Sequence, residues 1–138
     1  MEGLEMIRFA LFTVALLLVG CRDASPAKQD APPTLKEAVS TLQQHKQVVI
    51  EALRAKNPAA ADEALHEAMY LGDHLPEFQS SSEIDKTALE EQSNRLLNLL
   101  LQAHRGAHGS EEETWDPDAL ADEISECMDG LQSLLQEN

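Results

Sequence analysis

Five histidines, two cysteines and four methionines are the side chains here able to hold a soft or borderline metal ion. His66 and Met69 lie three apart and His104 and His108 four apart, spacings that place each pair on one face of a helix. Gly106 between the second pair and Gly109 after it argue against an unbroken helix there. Counting equal numbers of residues back from each expected turn sets His66 and His104 well over about 15 Å apart along the axis, at about 1.5 Å per residue. On that count they do not share an ion, and both pairs read as surface or packing residues. The same count gathers His45, Met69, Gln92, Cys127 and Met128 into one layer, where imidazole and sulfur would suit copper(I) or haem. Against this stands a plain structural role. Met and Cys are common in cores, Gln92 can interrupt an apolar seam, and a small rotation of its helix turns His45 outward and Lys46 inward.

Nothing in the sequence has the spacing of a catalytic motif: there is no nucleophile elbow, phosphate loop, zinc-protease helix or calcium loop. Ser80-Ser81-Ser82 reads as a turn and cap. The expected protein is not an enzyme. Its formal net charge is -15, and no Lys or Arg follows Arg105, while Glu111, Glu112, Glu113, Asp116, Asp118, Asp122, Glu123, Glu126, Asp129 and Glu137 accumulate. Such a surface repels nucleic acid and anionic headgroups. It is a solvated face or, alternatively, a site for a basic protein partner on the last helix.

The N-terminal end has a different character. Phe9 to Val19 is apolar except for Thr13, with Arg8 in front and Arg22-Asp23 behind. This is the layout of an export signal, and it falls short of the about 20 apolar residues that a membrane span needs. Met6 offers an alternative start that removes Glu2 and Glu5 from the leader. The run closes on Leu18-Val19-Gly20-Cys21. These four residues resemble the lipobox of bacterial lipoproteins, an aliphatic residue, a tolerant position and a small residue before a cysteine. The resemblance implies cleavage between Gly20 and Cys21, lipid on the Cys21 sulfur, and a membrane-anchored protein of the bacterial envelope facing the periplasm. Each buried methylene contributes about 0.8 kcal/mol, so two or more acyl chains hold where one binds marginally. A lipidated Cys21 leaves Cys127 alone, which excludes a disulfide scaffold.

Three segments follow: a signal peptide over residues 1–20, a lipidated cysteine and flexible linker over 21–33, and a helical domain over 34–138. Ser25, Pro26 and Pro32-Pro33 make the linker unable to build a core. Thr34 and Glu37 form a capping box, and Leu35, Val39, Leu42, Val49 and Leu53 recur at helical spacing, so helix 1 is expected to run to about Lys56. Asn57-Pro58 should cap and open helix 2, with Ala61, Leu65, Ala68, Met69, Gly72 and Leu75 inward, until Pro76 stops it. Helix 3 is expected from the weak start signal Ser82 and Asp85 to Gly106. Helix 4 opens at Asp116-Pro117 and carries the cleanest stripe: Leu120, Ile124, Cys127, Leu131 and Leu134, with Met128 and Leu135 beside it. Short connections between four amphipathic helices imply an all-α, antiparallel up-down-up-down four-helix bundle. In that topology the partly basic helix 1 lies beside the acidic helix 4.

Val48-Val49-Ile50-Glu51 through Asn57, followed by Asp62-Glu63-Ala64-Leu65-His66-Glu67-Ala68-Met69, resembles the first hairpin of the soluble b-type cytochrome bundle, a periplasmic electron carrier. The resemblance covers about a third of the chain. It implies a four-helix bundle with haem held by a Met early in helix 1 and a His near the end of the last helix. The matching early position is Val39, and Leu131 to Asn138 contains no histidine. The Cys-x-x-Cys-His attachment of the related c-type bundles is missing too. The functional expectation is a non-catalytic, lipid-anchored envelope protein with an interaction role. The alternative is a periplasmic metal or haem carrier.

Overall fold

The computed structural model describes residues 33–81, 83–109 and 115–136. Among them the chain forms four α-helices and no strand: α1 Leu35–Arg54, α2 Asp62–His74, α3 Lys86–Ala107 and α4 Pro117–Gln136. Short 3₁₀ turns at Pro58–Ala61 and Leu75–Glu77 flank α2. The leader, Gly20, Cys21 and all of the linker except Pro33 lie outside the described residues.

Helix ends follow local chemistry. At the start of α1 the Glu37 carboxylate accepts from the Thr34 backbone N–H at 2.7 Å and from its hydroxyl at 2.9 Å, while Glu37 N–H donates to Thr34 Oγ1 at 3.3 Å. These bonds hold the Glu37 carboxyl below its ordinary value, the Thr34 backbone bond contributing most. The far end departs from expectation. Helix α1 closes at Arg54, Lys56 takes φ 55° and donates to Leu53 O, and Asn57 N–H reaches back to Ala52 O at 2.9 Å. This is a Schellman closure with lysine where glycine is favoured. Asn57 makes no side-chain cap, the chain continues as a 3₁₀ turn, and α2 begins at Asp62. Helix α3 starts at Lys86, where Asp85 Oδ1 accepts from the Thr87 and Ala88 amides at 3.0 and 3.1 Å. Ile84, expected in the helix, lies before it. Asp116 caps α4 in the same way through Asp118 N–H and Ala119 N–H, both at 3.1 Å.

Each helix packs on its neighbours in sequence, and α1 packs on α4. The core is Leu- and Ala-rich. Leu35, Leu42 and Leu53 of α1, Leu65 of α2, Leu96, Leu100 and Ala103 of α3, and Ile124, Cys127, Met128 and Leu131 of α4 are all fully buried. The α4 stripe read from sequence is the buried one, with Leu134 and Leu135 partly buried at its end. Opposite charge meets across α1 and α4, where Arg54 donates to Asp122 Oδ1 at 3.1 Å. Both side chains are largely exposed, so the pair contributes no more than about 1 kcal/mol and favours the contact without creating it. Between α2 and α3, Leu35 N–H donates to Gln79 O at 3.0 Å, tying the connection to the start of α1. No described helix is long and apolar enough to cross a membrane.

The left-handed backbone at Lys56 disfavours any side chain with a Cβ. Lys56→Gly should raise stability by about 0.5–1 kcal/mol, read as a higher melting temperature. An unchanged or lower melting temperature would refute the assignment of that closure.

Candidate metal centre

Helix α2 begins at Asp62, and one turn later, on the same face, stands His66. Helix α3 ends with His104 in its last turn and His108 at its C-cap, again four apart. The two helices meet in a register in which Gly72 lies against Leu96 and Leu100 while His66 meets His104. That register delivers both pairs to one place. His104 Nε2 is 2.8 Å from His66 Nε2 and 3.1 Å from His108 Nε2. Asp62 Oδ1 lies 3.4 Å from His108 Nε2 and 3.9 Å from the Nε2 atoms of His66 and His104. All four donor atoms fall within 4.8 Å of one another.

This overturns the expectation that His66 and His104 are too far apart to share an ion. Equal residue counts from a turn give equal heights only if the residues counted on both sides are all helical. Residues 75–85 are not: a 3₁₀ turn rises about 2.0 Å per residue and extended chain more than 3 Å, so fewer residues span the height on the α2 side. The helix end expected at Gly106 stands to within a residue, since α3 closes at Ala107 with His108 as its C-cap, which still leaves His108 one turn from His104. A Cβ at Gly106 would overlap the Trp115 ring, so the indole occupies the space a side chain would take. Glycine costs about 1 kcal/mol in a helix, and here packing offsets it.

The cluster has chemistry of its own. A ring nitrogen offers either one N–H or one lone pair, so His104 Nε2 can make a good hydrogen bond to only one of its two imidazole neighbours. Asp62 Oδ1 is buried and receives no hydrogen bond, although the side chain as a whole is 44% exposed. A cation accepting a lone pair from every donor would satisfy all four at once. Tetrahedral zinc with bonds of about 2.0–2.1 Å needs donors about 3.3 Å apart; five of the six separations run from 2.8 to 3.9 Å and the sixth, His66 to His108, lies within 4.8 Å. Burial, then the neighbouring His108 and His66, lower the His104 pKa, against a smaller opposite effect of Asp62. The helix ends cooperate: Asp62 stands at the positive N-terminus of α2, and the ion would sit at the negative C-terminus of α3.

The mid-bundle residues chosen from sequence lie outside this cluster. Cys127 and Met128 are fully buried and Met69 packs against the same core cluster. His45 Nε2 faces Glu67, 3.8 Å away. Cys127 and Gln92 do share a level, the thiol donating to Gln92 O and Oε1 at 3.4 and 3.5 Å. Met69 lies between Gly72 and His66 and so stands near the level of Leu100, above Gln92. Burial pushes the Cys127 thiol up to about 11.

Haem, implied by the cytochrome resemblance, is not suited by these residues. Val39 lines a groove of about 920 Å³ between the start of α1 and the end of α4, and no described residue lining that groove is His, Met or Cys. Axial ligation has no donor there.

The spacing of His104 and His108 was legible in the sequence; the signal missed was the matching one from Asp62 to His66 at the start of the preceding helix. No family model, curated protein or solved structure matches this chain.

With its proton favoured by the fold, the Cys127 thiol should resist alkylation at pH 9 in the native protein and react at once in denaturant. Because the native pKa is the raised one, the linked stability is present below the ordinary thiol range and is lost as pH rises toward about 11. Equal labelling rates in both states would contradict that burial.

Proposed function

We propose that this chain is a non-catalytic, lipid-anchored helical bundle facing the bacterial periplasm, and that it binds one divalent first-row transition metal ion through Asp62, His66, His104 and His108. The unbonded Asp62 Oδ1 facing three imidazole nitrogens carries the metal assignment. Three nitrogens and one oxygen form a borderline donor set suited to zinc(II), nickel(II) or copper(II). The anchor rests on Leu18-Val19-Gly20-Cys21, outside the described residues.

The helices are read as running alternately up and down. Supporting this, Gln43 meets Gln132 and Arg54 meets Asp122 between α1 and α4, so residue numbers fall on one helix as they rise on the other. Gln92 against Cys127 and Gly106 against Trp115 repeat the pattern between α3 and α4. A basic partner on α4 is a second reading, favoured by the exposed Asp118, Glu123 and Asp129; Asp122 and Glu126 already pair with Arg54 and Arg95.

Titration of the purified protein with Zn2+ should give one ion per chain. The double variant His66→Ala, His104→Ala should lose that binding, whereas His45→Ala, which removes a histidine facing Glu67 outside the cluster, should keep it. Retention of full affinity in the double variant would remove the assignment. Mass spectrometry of the membrane fraction should find a mature N-terminus at Cys21 carrying acyl chains. A native chain that starts elsewhere and is released without detergent would remove the anchor.

A further inference from the structure

Resting on that metal assignment, we propose that the ion is exchangeable cargo: the site takes up zinc(II) from the surrounding medium and releases it to a competing chelator, while the fold stands without it. Three features of the structure point to this.

The first is exposure. The side chains of His66 and His108 are 56% and 57% exposed and Asp62 is 44% exposed, with only His104, at 25%, recessed. Water and a competing ligand therefore reach the ion from outside, and ligands can leave one at a time. A structural zinc site is closed, and its ligands stand in for a core that the chain does not otherwise have.

The second is the core under the cluster. Leu65, beside His66, and Ala103, beside His104, are 0% exposed, and Ala61, next to Asp62, is 2% exposed. The contacts that bring α2 onto α3, among them Leu96 and Leu100 against Gly72, lie away from the ligands. Removing a cation would leave these contacts in place. The ion therefore adds stability by mass action, about 2.7 kcal/mol at a hundredfold excess over Kd, but does not create the fold.

The third is the donor set. No sulfur takes part: Cys127 is buried and bonded to Gln92, Met128 belongs to the core and Met69 packs against it. Copper(I), which seeks thiolate and thioether, is not the ion this set selects, whereas imidazole and carboxylate suit zinc(II). The i, i+4 pairs on two helices bring all four donor atoms within 4.8 Å of one another, close enough that side-chain rotation rather than refolding would draw them onto one ion.

The experiment uses full-length protein in detergent, stripped with a chelator and reloaded with Zn2+ alone. Trp115, the single tryptophan, packs on Gly106 between His104 and His108 and reports loading by its fluorescence. Three results are expected: stripped protein keeps its helical circular dichroism and a cooperative thermal transition, Zn2+ raises the transition temperature, and bound zinc passes to excess chelator within minutes. Asp62→Asn, which keeps size and fold, should weaken Zn2+ binding by about tenfold or more. Loss of helical structure on stripping, or stoichiometric zinc retained for hours against excess chelator, overturns the cargo proposal and leaves the metal site standing. Stoichiometric copper(I) held more tightly than zinc against matched chelators overturns the ion class. Failure of the wild type to bind Zn2+ overturns the cargo proposal, and failure to bind Zn2+, Ni2+ and Cu2+ alike overturns the metal site as well.

Discussion

The register between α2 and α3 is the constraint on which the rest depends. Leu96 and Leu100 seat against Gly72, and burying a leucine side chain contributes about 1.5–3 kcal/mol, so a slip of one turn would expose apolar surface that nothing else covers. One turn is about 5.4 Å, larger than the span of the whole Asp62, His66, His104 and His108 cluster. The packing that keeps apolar side chains out of water thus also fixes where four polar side chains meet. Core and candidate site are two readouts of a single alignment.

The candidate site occupies the one part of a helical bundle where such a set is inexpensive to keep. Helix ends carry unpaired backbone groups and a residual dipole, and both favour a carboxylate at the start of α2 and a cation near the end of α3. Exposure lets the imidazoles remain solvated on their outer edges, while Asp62 Oδ1 is turned inward. Deeper in the bundle the same groups would carry a large desolvation cost. There the chain uses Leu, Ala, Met128 and Cys127 instead, and its one buried polar residue among those described is Ser93. Trp115 sits over Gly106 and attaches the entry of α4 to the same end of α3, so the end bearing the histidines is also where three helices are held together.

Much of the fold was legible from side-chain pattern. The capping box at Thr34 and Glu37, the cap and proline at Asp116 and Pro117, and the apolar stripe of α4 each stand where local chemistry places them. Such signals involve residues within four or five positions of each other, and their physics is complete in a short window. Local chemistry misled where two rules competed. Asn57 was a fair cap by composition, but its backbone N–H closes α1. Gly106 was a fair helix breaker by propensity, but the indole of Trp115 fills the space beside it. At Gly106 a contact outside the window outweighed a preference of about 1 kcal/mol, whereas at Asn57 one local pattern prevailed over another.

The sequence by itself determined that this chain makes four amphipathic helices, that the last is acidic, and that nothing in it has the pattern of a known catalytic motif. Periodicity and capping determine these, and both are properties of neighbouring residues. Only the tertiary structure decided which histidines meet. The height of one helix against the next depends on how far a non-helical connection carries the chain, and the 3₁₀ turn at Leu75–Glu77 with the extended stretch to Gln79 covers in few residues what a helix needs many to cover. That difference, invisible to a residue count, moves His66 from a separate level to within 2.8 Å of His104.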